Sequence, residues 1–165
     1  PEMYLIIDLP IPSHEVIQFP TIYDCFDLFT KEELMDGDNQ WYNEKTKEKE
    51  VVKKQILFWN FPKLLVVTLK RFNSYNQDKR QDLVSFPIEN LDLSKYVCGY
   101  NPNKYVYDLM GVCNHIGGVM GGHYTAFVKN SINEWLHFND THYTKINADD
   151  IVTPMAYCLF YRMRG

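Results

Sequence analysis

At 165 residues the chain is long enough for one domain with a real hydrophobic core. A hydrophobic content of 45% excludes a disordered polymer, and a net charge of −4 with acids and bases interleaved excludes the basic stripe that nucleic-acid binding requires. A membrane span is excluded as well, because the apolar run FPKLLVVTL stops at Lys70.

Twelve tyrosines and ten phenylalanines favour strands. Residues 3–9 (MYLIIDL) read as a strand closed by Pro10 and Pro12. Over 21–35, Ile22, Cys25, Phe26, Phe29 and Leu34 fall at helical spacing, with Thr21 as N-cap. DGDNQ is a turn, and 41–59 suits an exposed hairpin that returns to the core. Its interleaved Lys and Glu over 44–54 make a solvated face.

The continuous apolar run at 63–72 (KLLVVTLKRF) predicts a fully buried strand. A loop follows at 73–81. Short extended pieces and one turn of helix fill 82–97, and 104–116 alternates as a strand. Residues 122–130 and 134–140 make a hairpin joined around Ser131–Asn133. HYTKI and 156–164 end the chain as strands. The sum is α+β, mostly antiparallel sheet with one or two helices near the N-terminus.

Cys25, Cys98, Cys113 and Cys158 contain no CxxC pair, and the chain reads as reduced and intracellular, cytoplasmic or nuclear. Beginning at Pro1 and already strand-like, it reads as a segment of something longer.

Chemistry concentrates in GGVMGGHYTAFVKN, residues 117–130, where four glycines precede His123. Asn139 and Asp140 follow on the second arm of the hairpin, so His123 and Asn139 should lie opposite each other near its open end. A histidine beside an amide or carboxylate has one imidazole tautomer fixed. It can then take a proton from a thiol and return it to a leaving amine. The same residues also suit an ordinary strand histidine and an ordinary turn.

The stretch YDLMGVCNHIGGVMGGHYTAFVKN, then EWLHFND, then AYCLFYRMR closely resembles the histidine box of the ubiquitin-specific proteases. FPKLLVVTLKRF is similar to their palm strand and DLFTKEELMDGDNQWYNEKT to their fingers, in the same order. The resemblance implies a papain-like cysteine protease fold. Residues 1–165 would be the C-terminal, fingers-and-palm part of one catalytic domain, and the N-terminal thumb half would lie elsewhere. It implies His123 as the catalytic base, Asn139 as its orienter and Asp140 as an assisting neighbour. It further implies that ubiquitin and ubiquitinated proteins are the partners, with no nucleic acid and no membrane. Gly117, Gly118, Gly121, Gly122 and Tyr124 would bind the ubiquitin tail. Gly121 and Gly122 would admit it closely, and Gly117 and Gly118 would free the preceding loop.

Two departures from the family stand out. None of the four cysteines has the Gly-Asn-Thr-Cys setting of the nucleophile, so the chain supplies a base and orienter without the thiol. That leaves two readings: part of a deubiquitinating thiol protease, or a catalytically inactive ubiquitin-binding pseudo-protease. The zinc-binding CxxC knuckles of the fingers are also gone. Asn43 and Thr46 stand at cysteine spacing, so no metal and no cofactor are expected, and hairpin packing alone should hold the fingers. His115 reads as making a local hydrogen bond, Lys70 and Arg71 as structural, and Trp135 and Phe138 as packing beneath the hairpin.

Overall fold

The computed structural model describes residues 3–72 and 78–165. The first strand, β1, is Ile7–Leu9, shorter than 3–9 and stopped by Pro10. Helix α1 (Ile22–Phe29) starts at the expected cap. The Asp24 N–H donates to the Thr21 hydroxyl at 3.3 Å, and the Thr21 N–H donates to Asp24 Oδ2 at 2.7 Å, which is a full capping box. The helix stops well before Met35, because Thr30 turns its hydroxyl and its N–H back onto the Phe26 carbonyl. Leu34 therefore belongs to a strand, β2 (Glu33–Met35).

The hairpin expected over 41–59 is present as β3 (Trp41–Asn43) and β4 (Glu48–Glu50), and β5 (Val52–Lys54) returns to pair with β2. Side chains reinforce the β3–β4 tip. Asn43 Nδ2 and Thr46 Oγ1 both donate to Glu50 Oε1, at 2.9 and 2.8 Å. More than strand packing thus holds the tip: the residues at cysteine spacing close it through one carboxylate.

Next come β6 (Leu64–Leu69), β7 (Leu91–Asp92), β8 (Val106–Gly118), β9 (Gly121–Lys129), β10 (Trp135–Asn139), β11 (His142–Ile146) and β12 (Ala156–Met163). Of the loop expected at 73–81, residues 73–77 lie outside the described residues. One sheet runs in the order β1-β6-β12-β8-β9-β10-β11, with β7 also on β8. Only the β1–β6 pair is parallel.

One face of this sheet carries the core. Leu65, Val67, Leu69, Leu109, Val112, Phe127, Leu159 and Tyr161 are buried there, with Ile22, Cys25 and Phe26 of α1 in the same cluster. Phe26 packs edge-on to Phe58 and Phe61. The other face is partly open, which corrects the expectation for 63–72. Leu65, Val67 and Leu69 are buried, but Leu64 is 59% exposed and Val66 and Thr68 are only half-buried. An apolar run records which residues are greasy, not which faces are covered.

Arg71, just past β6, is fully buried and works as a structural tie. Its Nε donates to the Ala156 carbonyl at 2.7 Å, and its Nη1 to the carbonyls of Asp82 at 2.9 Å and Arg80 at 3.2 Å. Lys70 makes only a loose ion pair with Asp8 at 3.9 Å. No helix among the described residues is long and apolar enough to cross a membrane.

Candidate active site

The β8–β9 hairpin presents the histidine. Its register runs His115↔Tyr124, Ile116↔His123, Gly117↔Gly122 and Gly118↔Gly121, with Val119 and Met120 in the turn. Strand alternation puts His123 and Thr125 on one face. On β10, Phe138 pairs with Ala126, so Asn139, one step further, faces Thr125. His123 and Asn139 are therefore diagonal neighbours rather than directly opposed, within reach of longer side chains. They meet at 2.7 Å between His123 Nε2 and Asn139 Oδ1.

That bond decides the tautomer. An amide oxygen only accepts, so Nε2 carries the proton and Nδ1 keeps its lone pair. The imidazole is thus a base through Nδ1, oriented without an added charge. Both residues are exposed on this chain. Asp140 lies in the turn before β11 with a left-handed φ of 51°. Phe138 alternates to the opposite face, is 37% exposed and stacks near Tyr143. Trp135 alone of the expected pair is buried.

Three of the four thiols are unsuited to partner this base. Burial pushes Cys25 up to about 12 and Cys158 up to about 11, and it raises Cys113 as well. A catalytic nucleophile that must work fast at neutral pH needs the opposite shift. Among the described residues no group of three or more His, Cys, Asp or Glu could hold a metal ion.

The glycines divide differently from expectation. Gly117 is no loop hinge: it is paired in β8, has φ +115°, and a Cβ there would stand 2.7 Å from Gly122 Cα. At Gly122 a Cβ would fall 2.2 Å from His115 Nε2 and 2.5 Å from the Ile116 carbonyl oxygen. That space belongs to His115, so a bulky residue at 122 cannot leave the fold intact. Gly118 and Gly121 have open space where a Cβ would stand.

His115 itself is only 3% exposed, and its Nδ1 has no hydrogen-bond partner among the described residues, although its backbone N–H donates to the Met155 carbonyl at 2.9 Å. Its ring lies against Phe72, Tyr124 and Tyr157. Burial, then nearby Lys79, lowers its pKa, so it is a neutral prop beneath the hairpin. Lys79 Nζ donates to the His115 carbonyl. The sequence signal for this prop is a glycine seven positions after His115, a diagonal cross-strand neighbour that only the register makes legible.

A stability test follows. Gly122→Ala should cost about 1–3 kcal/mol through overpacking against His115, while Gly121→Ala stays near neutral. Urea unfolding of the two variants in the full-length protein checks this, and equal midpoints would refute it.

The model of the family described as "Ubiquitin carboxyl-terminal hydrolase" matches residues 17–161. The chain belongs to that family. It is 43% identical over 144 residues to ubiquitin carboxyl-terminal hydrolase 4 of Pongo abelii, covering 86% of this chain and 15% of that protein. It is 41% identical over 145 residues to hydrolase 9 of Arabidopsis thaliana, covering 86% of this chain and 16% of that one. The chain thus spans about a sixth of the length of the curated relatives it matches. Among solved structures, a chain of the yeast SAGA DUBm superposes with a TM-score of 0.79 at 28% identity, over 98% of this chain and 36% of that one. A chain of the SAGA Ubp8/Sgf11/Sus1/Sgf73 DUB module bound to ubiquitin aldehyde gives 0.77 at 29% identity, with the same coverage. The α+β, mostly antiparallel architecture is that of the ubiquitin-specific protease domain.

Proposed function

We propose that this chain is the fingers-and-palm part of a ubiquitin-specific thiol protease domain, and that it supplies the base and orienter for hydrolysis after the terminal glycine of ubiquitin. The observation that carries this is the 2.7 Å bond from His123 to Asn139, which leaves Nδ1 as the free base. The cysteine comes from the N-terminal thumb half, outside residues 1–165. Its thiol gives a proton to His123 Nδ1, and the thiolate attacks the glycine carbonyl. The imidazolium then protonates the leaving amine. Water next attacks the thioester, again with His123 taking the proton, and the free ubiquitin carboxylate departs. The family relation and the ubiquitin-bound neighbours support this substrate.

The ubiquitin tail passes the open backbone at Gly118 and Gly121, with the exposed Tyr124 at its side. Gly117 and Gly122 act indirectly, by holding the hairpin closed. Gly121→Ala therefore lowers turnover while sparing stability.

The reading is tested with the full-length protein and ubiquitin carrying a C-terminal fluorogenic amide. Turnover that thiol alkylation abolishes supports it. Ubiquitin binding without turnover would favour the inactive, ubiquitin-holding alternative. A finer test separates Asn139 from Asp140. Asn139→Ala costs less than loss of the base, because Asp140 is adjacent and takes over part of the orientation. The double alanine variant then costs more than the product of the two single losses, as residues sharing one partner do. Strictly multiplicative values of kcat/KM would leave Asn139 as the sole orienter.

A further inference from the structure

Two of the four free thiols stand side by side. Cys113 on β8 and Cys158 on β12 are direct Cα partners across an antiparallel pair. A bulge creates this pairing. Ala156 faces Asn114, and a regular ladder would then set Cys158 against Val112. One extra residue, Tyr157, shifts the register so that Cys158 meets Cys113 instead. Both thiols alternate with core-facing residues, so both lie on the outer face of the sheet, in one cross-strand row with Thr68 and Ala126.

Directly opposed antiparallel residues have Cα atoms about 4.5–5.5 Å apart, within the roughly 4.4–6.8 Å that a disulfide spans. Access is graded: Cys113 is half-buried and Cys158 is 9% exposed. The other two thiols lack such a neighbour. Cys25 is fully buried in the core, and Cys98 is exposed and turned toward the Phe58 carbonyl.

We propose that Cys113 and Cys158 form an oxidative modification site, which a small disulfide such as oxidised glutathione converts to an intrachain bridge between β8 and β12. Cys113 is the point of entry. Its thiolate attacks one sulfur of oxidised glutathione, the S–S bond breaks, and one glutathione thiolate leaves and takes a proton. The Cys158 thiolate then attacks the Cys113 sulfur and expels the second glutathione. In sum, two protein thiols are oxidised to one disulfide and one oxidised glutathione is reduced to two thiols. The bridge ties β12 to β8 beside Asn114 and His115, on the element that runs on to the His123 hairpin.

Burial raises both thiols above their ordinary range. The thiolate fraction is therefore small at neutral pH and grows as pH rises. Bridging accelerates by up to roughly tenfold per pH unit below the thiol pKa.

The test incubates the full-length protein with oxidised glutathione at neutral and mildly alkaline pH, blocks free thiols, digests without reduction and maps peptides by mass. The expected product is a linked pair joining the peptides of Cys113 and Cys158, lighter by two hydrogens and formed faster at the higher pH. Cys98 should carry glutathione alone. In Cys113→Ser the linked pair disappears and Cys158 stays largely unmodified. Recovery of Cys113 and Cys158 only as separate peptides would overturn the proposal. So would glutathione uptake at Cys158 in Cys113→Ser at the wild-type rate.

Discussion

Replacing His123 with alanine in the full-length protein should lower kcat/KM for a ubiquitin C-terminal amide by about 10²–10⁴-fold, the contribution of a positioned general base. The thiol loses its proton acceptor, and the leaving amine loses its proton donor. The bond to Asn139 joins two exposed side chains, so folding should survive the change. His142 makes a good control. It is exposed and lies on β11 directly across from Asn139, but its ring meets the Thr141 hydroxyl and not the His123 or Asn139 side chain. His142→Ala should retain near-normal turnover. A His123→Ala variant with turnover close to wild type would remove this residue from the mechanism.

Arg71→Met should cost at least about 3 kcal/mol of stability, the summed penalty for buried carbonyls left without their donor. The side chain is fully buried and donates to the carbonyls of Ala156, Asp82 and Arg80. Methionine fills much of the volume but leaves those carbonyls without a donor, at about 1–3 kcal/mol for each one that stays buried. Burial works against the guanidinium charge, and Asp82 opposes that shift. Domains of ordinary stability hold only about 5–15 kcal/mol in reserve. The variant should therefore unfold at a clearly lower urea concentration, seen by circular dichroism. An unchanged midpoint would mean that Arg71 does not tie the end of β6 to β12.

The parts legible in the sequence are those written in local pattern. The Thr21 cap needs only a hydroxyl three residues before a carboxylate. The β9–β10 hairpin needs only alternation around Ser131–Asn133. That hairpin then placed His123 near Asn139, although the register makes them diagonal. What stayed hidden depends on contacts between distant segments. Leu34 fits the helical spacing but pairs with Lys53 across β2 and β5. The run at 64–69 is apolar throughout, yet only one side of its sheet is covered. Phe138 and Asn139 are neighbours in sequence and point to opposite faces. Gly122 reads in the sequence as room for a substrate, and the structure shows that its missing Cβ also makes room for His115. The Cys113–Cys158 pair exists only because of the bulge at Tyr157, which no local pattern announces.

The central claim is that this chain brings the base and another segment brings the thiol. The most direct measurement uses ubiquitin with an electrophile at its C-terminus, reacted with the full-length protein and mapped by peptide mass. The adduct should sit on a cysteine outside residues 1–165, and it should form far more slowly in His123→Ala. An adduct on Cys25, Cys98, Cys113 or Cys158, formed at the same rate with or without His123, would contradict the account.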